Sequence, residues 1–165
     1  MTQSTNEPEP MVETDNRQKA QARRLALQAL YQADAQGDDF LDGSLIDFVT
    51  QSTTDISVRL LAISMAKHAW RYRSISDDWI SRLMNQWSLS RLAAVDRSIL
   101  RLGIWELTAG TDTPPRVALD EAINMAREFS TAESSKFING VLDAAYKQHR
   151  LTLGGEGKTA AKPEP

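Results

Sequence analysis

The run from Ser90 to Gly110, SRLAAVDRSILRLGIWELTAG, narrows most sharply what this chain can fold into. Set on a helix of about 3.6 residues per turn, Leu92, Val95, Ile99, Leu102, Gly103 and Leu107 share one face. Ile104 and Trp105 lie off it. A helix that is apolar most of the way round has to sit in the middle of other elements. Asp96 and Glu106 fall within or beside the apolar face, and an unpaired buried carboxylate is costly. The plain expectation is an ion pair, or a cap on a neighbouring helix. The sharper one is a carboxylate at an edge, accepting hydrogen bonds from a partner protein.

The neighbours this helix needs also read as helices. A first runs from near Arg17 to Gln36 and stops at Gly37. A short one spans Gly43 to Thr50, and a third follows Thr54 with Leu60, Leu61, Ile63, Met65 and Trp70 along it. A fourth starts at Ser76, whose hydroxyl can cap free amides while Asp77 and Asp78 meet the positive helix end. The central helix starts at Ser90 and stops at Gly110. Pro114 and Pro115 open a sixth, since proline is tolerated in the first turn. A seventh covers Glu133 to His149. No segment alternates apolar and polar residues, so the expected fold is all-α.

Both ends differ in composition from this core. Residues 1–16 are polar and acidic, with Pro8 and Pro10; residues 154–165 read GGEGKTAAKPEP. Neither can bury enough apolar surface to offset ordering, so both are expected to be disordered tails flanking a domain at 17–153. The N-terminus lacks the apolar core of a signal peptide, and no apolar run approaches the roughly 20 residues that span a bilayer. A cytoplasmic protein without membrane association is expected. The chain has no cysteine, which excludes a disulfide framework, a thiol nucleophile and thiolate metal sites. His68 and His149 have no metal-ligand spacing, Asp120 and Glu121 point to different faces, and glycine-rich phosphate loops are missing. Neither an enzyme nor a cofactor is expected. A net charge of −3 also argues against wholesale polyanion binding, so any nucleic-acid site has to be a local patch.

The first helix offers such a patch. Ala22, Leu25, Ala26, Ala29, Leu30 and Ala33 make its apolar stripe. Arg17, Arg24, Gln28 and Tyr31 cluster on the opposite side, and Lys19 and Arg23 share one flank. No acid lies between Asp15 and Asp34, so four cations sit near the helix start with no local counter-charge. Cations there oppose the helix dipole; an arriving polyanion offsets that cost, and the free amides help to hold phosphate. Tyr31 adds a ring on which a base can stack.

The last two helices form an antiparallel hairpin. Leu119, Ala122, Ile123 and Ala126 make one seam; Phe137, Ile138, Val141, Leu142 and Ala145 make the other. Thr131 is placed to cap the seventh helix, with Glu133 in its first turn. Asn139 and Gly140 are poor helix formers, which points to close helix approach at Gly140 and a hydrogen bond across from Asn139.

Three separated stretches occur in the order of one known family. ALDEAINMAREF and SSKFINGVLD, within Val117 to Ala144, RRLALQALYQAD from Arg23, and VDRSILRLGIWEL from Val95 together resemble the NusB family over most of the domain. The segment from Asp38 to about Gln86 matches poorly. The resemblance implies about seven helices in two packed helical subdomains. It also implies a transcription antitermination factor that binds boxA-type single-stranded sequence in nascent ribosomal RNA, together with NusE, a ribosomal small-subunit protein. The complex joins the RNA polymerase elongation complex and promotes transcription of ribosomal RNA operons.

Carried over residue by residue, the family's arginine-rich helix start matches Lys19 and Arg23, with Ala20 and Gln21 where further arginines belong and Arg17 and Arg24 as substitutes. Tyr31 would lie near both RNA and NusE, Asp96 would face NusE, and Glu133, Lys136 and Phe137 would lie along the RNA. For Phe137, plain core packing is an equal expectation. A homodimer is a further state the family allows. Some RNA methyltransferases carry a similar helical domain, but no methyltransferase portion is present here. The alternative function is a helical protein–protein adaptor without sequence-specific RNA binding. The acidic tail is expected to compete with RNA for Lys19, Arg23 and Arg24.

Overall fold

The structure, a computed structural model, describes residues 14–84 and 88–159, in which seven α-helices are joined by short connections. These are α1 (Asn16–Gln36), α2 (Leu45–Ser52), α3 (Ile56–Arg71), α4 (Arg73–Leu83), α5 (Ala94–Thr108), α6 (Pro115–Phe129) and α7 (Ala132–Thr159). A π-helical turn at Phe40–Ser44 leads into α2, and a 3₁₀ turn at Leu89–Arg91 precedes α5. No strand occurs among the described residues. No helix there is long and apolar enough to cross a membrane. The expected tails fall largely outside the described residues, at 1–13 and 160–165.

Local chemistry accounts for most of the boundaries. Asp15 accepts a hydrogen bond from the Gln18 amide at 2.8 Å, while the Gln18 side chain accepts one from the Asp15 amide at 2.9 Å. This reciprocal capping box fixes the start of α1. Gly37, at φ 75°, closes it in a conformation that disfavours a side chain. Asp55 caps α3, and Thr131 caps α7 by accepting from the Ser134 amide at 3.1 Å. Pro115 stands at the first position of α6.

Several boundaries differ from the sequence reading. Helix α4 begins at Arg73, not at Ser76. The Ser76 amide already bonds to the Tyr72 carbonyl, so Ser76 is an interior residue; its buried hydroxyl donates to the Arg101 carbonyl. Helix α5 begins at Ala94, because Leu92 and Ala93 are extended and Arg97 donates back to the carbonyls of Leu89 and Leu92. Helix α7 continues past His149 to Thr159. The added turns carry the poor helix formers Gly154, Gly155 and Gly157, so local propensity does not account for them. The last buried residue of α7 among those described is Ala145, and residues 150–154 are exposed.

Packing follows from α5. It touches α1, α3, α4, α6 and α7. Helices α1 and α3 pair on one side of it, and α6 and α7 on the other. Ile99, Leu100, Leu102 and Ile104 are fully buried along α5, within one continuous core that also contains Leu30, Leu45, Ile80, Ile138 and Leu142. Each such aliphatic side chain contributes on the order of 1.5–3 kcal/mol. The close helix approach is at Gly103, where a Cβ would stand 2.9 Å from Leu142 Cδ1. Gly140 has nothing within 4 Å, and Asn139 is exposed, so the expected approach at that pair is corrected: it lies on the solvent side of α7.

Candidate nucleic-acid interface

Helix α1 presents Arg17, Arg24 and Tyr31 seven residues apart. Seven residues advance about 10.5 Å and return within roughly 20° of the same direction, so the three side chains form a stripe along α1. Arg17 and Tyr31 are exposed, the latter at 47%, and Arg24 is half-buried. Arg24 donates to Glu128 at 2.7 Å and lies 3.5 Å from Glu121, which ties the middle of the stripe to α6.

One turn beyond Tyr31 the stripe meets α5. Asp34 accepts from both Arg97 and Arg101, and Arg101 also holds Asp77 of α4 at 2.7 Å. Burial pushes the Asp34 carboxyl up, but the hydrogen bonds and charges of Arg97 and Arg101 outweigh it and hold its pKa below the ordinary value. Burial likewise pulls the Arg101 guanidinium down, and Asp77 and Asp34 more than reverse this. Together Asp34, Arg97, Arg101 and Asp77 fasten three helices.

At the start of α5, Asp96 is buried and accepts from Ser130 at 2.6 Å and Ser134 at 2.7 Å. Both serines flank the turn between α6 and α7. Asp96 therefore pins that turn to the central helix, and Glu133 and Lys136 project from the first turns of α7 as exposed residues. Phe137 is partly buried and packs on the core, so core packing describes its position. Glu128 thus ties Arg24 to α6, Asp34 ties α1 to α5, and Asp96 ties α5 to the turn into α7.

Two expected contact residues are not on the surface. Arg23 is 4% exposed, makes a two-pronged ion pair with Glu106 at 2.8–3.1 Å, and reaches Thr113 at 3.4 Å. It is not a free cation. Asp96, at 7% exposure, has both carboxylate oxygens engaged internally and does not face outward. The reading of four uncompensated cations is corrected in the same way, because Glu106, Glu121 and Glu128 arrive from helices remote in sequence. Lys19 remains exposed, with no ion-pair partner among the described residues.

On the flank carrying Lys19, a groove of about 1390 Å³ opens between α1, α3, α6 and the connection from α5 to α6. Its wall includes Leu61, Trp105 and Val117, with the His68 ring stacked on Trp105 at 6.2 Å between centroids. The His68 Nδ1 lies 2.7 Å from the Ser64 carbonyl oxygen. Sequence reasoning missed this groove. Trp105 lying off the apolar face of its helix was the one available signal. No group of three or more His, Asp or Glu arranged to hold a metal occurs among the described residues.

These features define a helical binding scaffold whose charged side chains are mostly spent on holding helices together, with a mixed basic and aromatic stripe left outside. The model of the NusB family matches residues 20–147. The NusB transcription antitermination protein of Symbiobacterium thermophilum is 35% identical over 146 residues, covering 84% of this chain and 95% of that one. The solved structure of Thermotoga maritima NusB superposes with a TM-score of 0.68 at 34% identity, over 79% of this chain and 92% of that one. A crystal structure of the antitermination factors NusB and NusE in complex with double-stranded RNA gives 0.72 at 27% identity, over 81% and 99%. The chain belongs to the NusB family. Membership makes it a binding protein and not an enzyme.

Proposed function

We propose that this protein is a transcription antitermination factor that binds boxA-type single-stranded RNA together with NusE and thereby promotes transcription of ribosomal RNA operons. One observation carries the reading: in a chain of the NusB family, α1 keeps Arg17, Lys19 and Tyr31 exposed, and the first turns of α7 keep Glu133 and Lys136 exposed. Related proteins bear the name of antitermination factors, and one was solved with NusE and RNA. On this reading Arg17, Lys19 and Lys136 contact phosphates, Arg24 joins them by exchanging Glu128 for RNA, and Tyr31 stacks on a base or meets NusE. Arg23, Asp96 and Phe137 shape the surface from beneath. The complex then joins elongating RNA polymerase in the cytoplasm.

Fluorescence anisotropy with labelled single-stranded boxA RNA, with and without NusE, tests this against scrambled and double-stranded RNA. NusE should tighten binding to boxA alone. The salt slope should be about −0.7 per phosphate neutralised, so four contacts give roughly −3. Lys19→Ala and Lys136→Ala should each flatten it. Equal binding of scrambled RNA, or binding of NusE with no binding of boxA RNA, would move the function to a protein–protein adaptor.

A further inference from the structure

The groove beside Lys19 has an apolar wall and no occupant among the described residues, and the chain enters α1 at its mouth: Thr14 and Asn16 both line it. The chain before Thr14 is therefore joined to the domain at this groove. Between Thr2 and Lys19 the only apolar side chains other than prolines are Met11 and Val12. An extended chain advances at most about 3.3–3.6 Å per residue, which keeps Val12 within roughly 7 Å of Thr14 and Met11 within roughly 11 Å. The apolar pair is thus tethered beside a groove whose wall carries Trp105 and Val117, the latter 41% exposed.

We infer that the segment immediately before α1 folds back into this groove, with Met11 and Val12 covering Trp105 and Val117. Tethering raises the local concentration of such a segment into the millimolar range, so a weak apolar contact is sufficient. Charge limits how far the segment reaches. Asp112, Asp120 and Glu121 line the groove and repel Glu7, Glu9 and Glu13, which leaves Met11 and Val12 as the contacting side chains. Because Lys19 shares the groove, occupancy also covers one cation of the RNA face, a consequence that rests on the proposed function.

The contact is tested without RNA by following the Trp105 indole and Val117 methyl resonances. The full chain is compared with a chain lacking residues 1–13 and with the Met11→Ser/Val12→Ser variant. Neither change touches the capping box at Asp15. Both should shift these resonances, leave the Trp70 and Trp79 indoles in place, and abolish a Val12-to-Trp105 nuclear Overhauser effect seen in the full chain. Coincident spectra for all three proteins would overturn the inference. So would shifts that change on dilution, which would assign the groove to a second copy. With boxA RNA, deletion should tighten binding about two- to fivefold at low salt. If the resonances shift but RNA binds neither protein, the groove contact stands and the RNA reading fails.

Discussion

Lys19 and Arg23 stand one helical turn apart on the same flank, and their surroundings assign them opposite work. Lys19 is solvated; Arg23 is buried against Glu106. Replacing Arg23 by alanine strands a buried carboxylate, so Arg23→Ala should lose about 3–5 kcal/mol in urea unfolding. Lys19→Ala should leave stability within about 0.5 kcal/mol and register only in RNA affinity. Asp34 yields a pH prediction. Its folded pKa lies below its unfolded one, so the stability it contributes is fully present above the ordinary aspartate value, about 3.9. It is lost as pH falls toward the depressed folded value. Unfolding midpoints measured at pH 7, 4 and 3 should fall steeply at the acid end, and less steeply in Asp34→Asn, which starts lower at pH 7.

Glycines separate buried from solvent-facing helix surface at the scale of elements. Gly103 of α5 faces fully buried Leu142, with no room for a methyl group. Gly103→Ala gains about 1 kcal/mol of helix propensity but overpacks by about 1–3, for a net loss near 1 kcal/mol. Gly140 of α7 meets nothing, so Gly140→Ala should gain up to about 1 kcal/mol. Thermal unfolding of the two variants should therefore move in opposite directions. The link between α1 and α6 makes a functional prediction: Glu128→Gln releases Arg24 from an exposed ion pair valued at about 0.5–1 kcal/mol. Anisotropy at low salt should show RNA binding tightened roughly two- to fivefold, an effect that fades as salt screens the pair.

Across the whole molecule, one helix organises the rest. Helix α5 touches α1, α3, α4, α6 and α7, and its charged residues reach three of those neighbours: Glu106 holds α1, Arg101 holds α1 and α4, and Asp96 holds the turn into α7. The near-continuous apolar surface of Ser90 to Gly110 announced that centrality, since only a surrounded helix can be apolar on most sides. The same reading placed Asp96 and Glu106 in need of internal partners, and both have them. Helix number, the hairpin of α6 and α7, and the caps at Gly37, Pro115 and Thr131 were legible for the same reason: periodicity and capping act within a few residues. The start of α4 was not, because the Ser76 signature of a cap is also that of a small polar residue bonding to a carbonyl across a helix interface.

Charge pairing lay beyond local reading. From Asp15 to Asp34 the sequence determined a basic helix start; only the folded chain decided which of those cations remain free. Glu106 lies 83 residues from Arg23, Glu128 lies 104 from Arg24, and Arg101 lies 67 from Asp34. Periodicity and capping are set by neighbours along the chain, so they can be read from order alone. Which carboxylate meets which guanidinium depends on the packing of α5 and α6 against α1, and that is settled by the burial of the entire core.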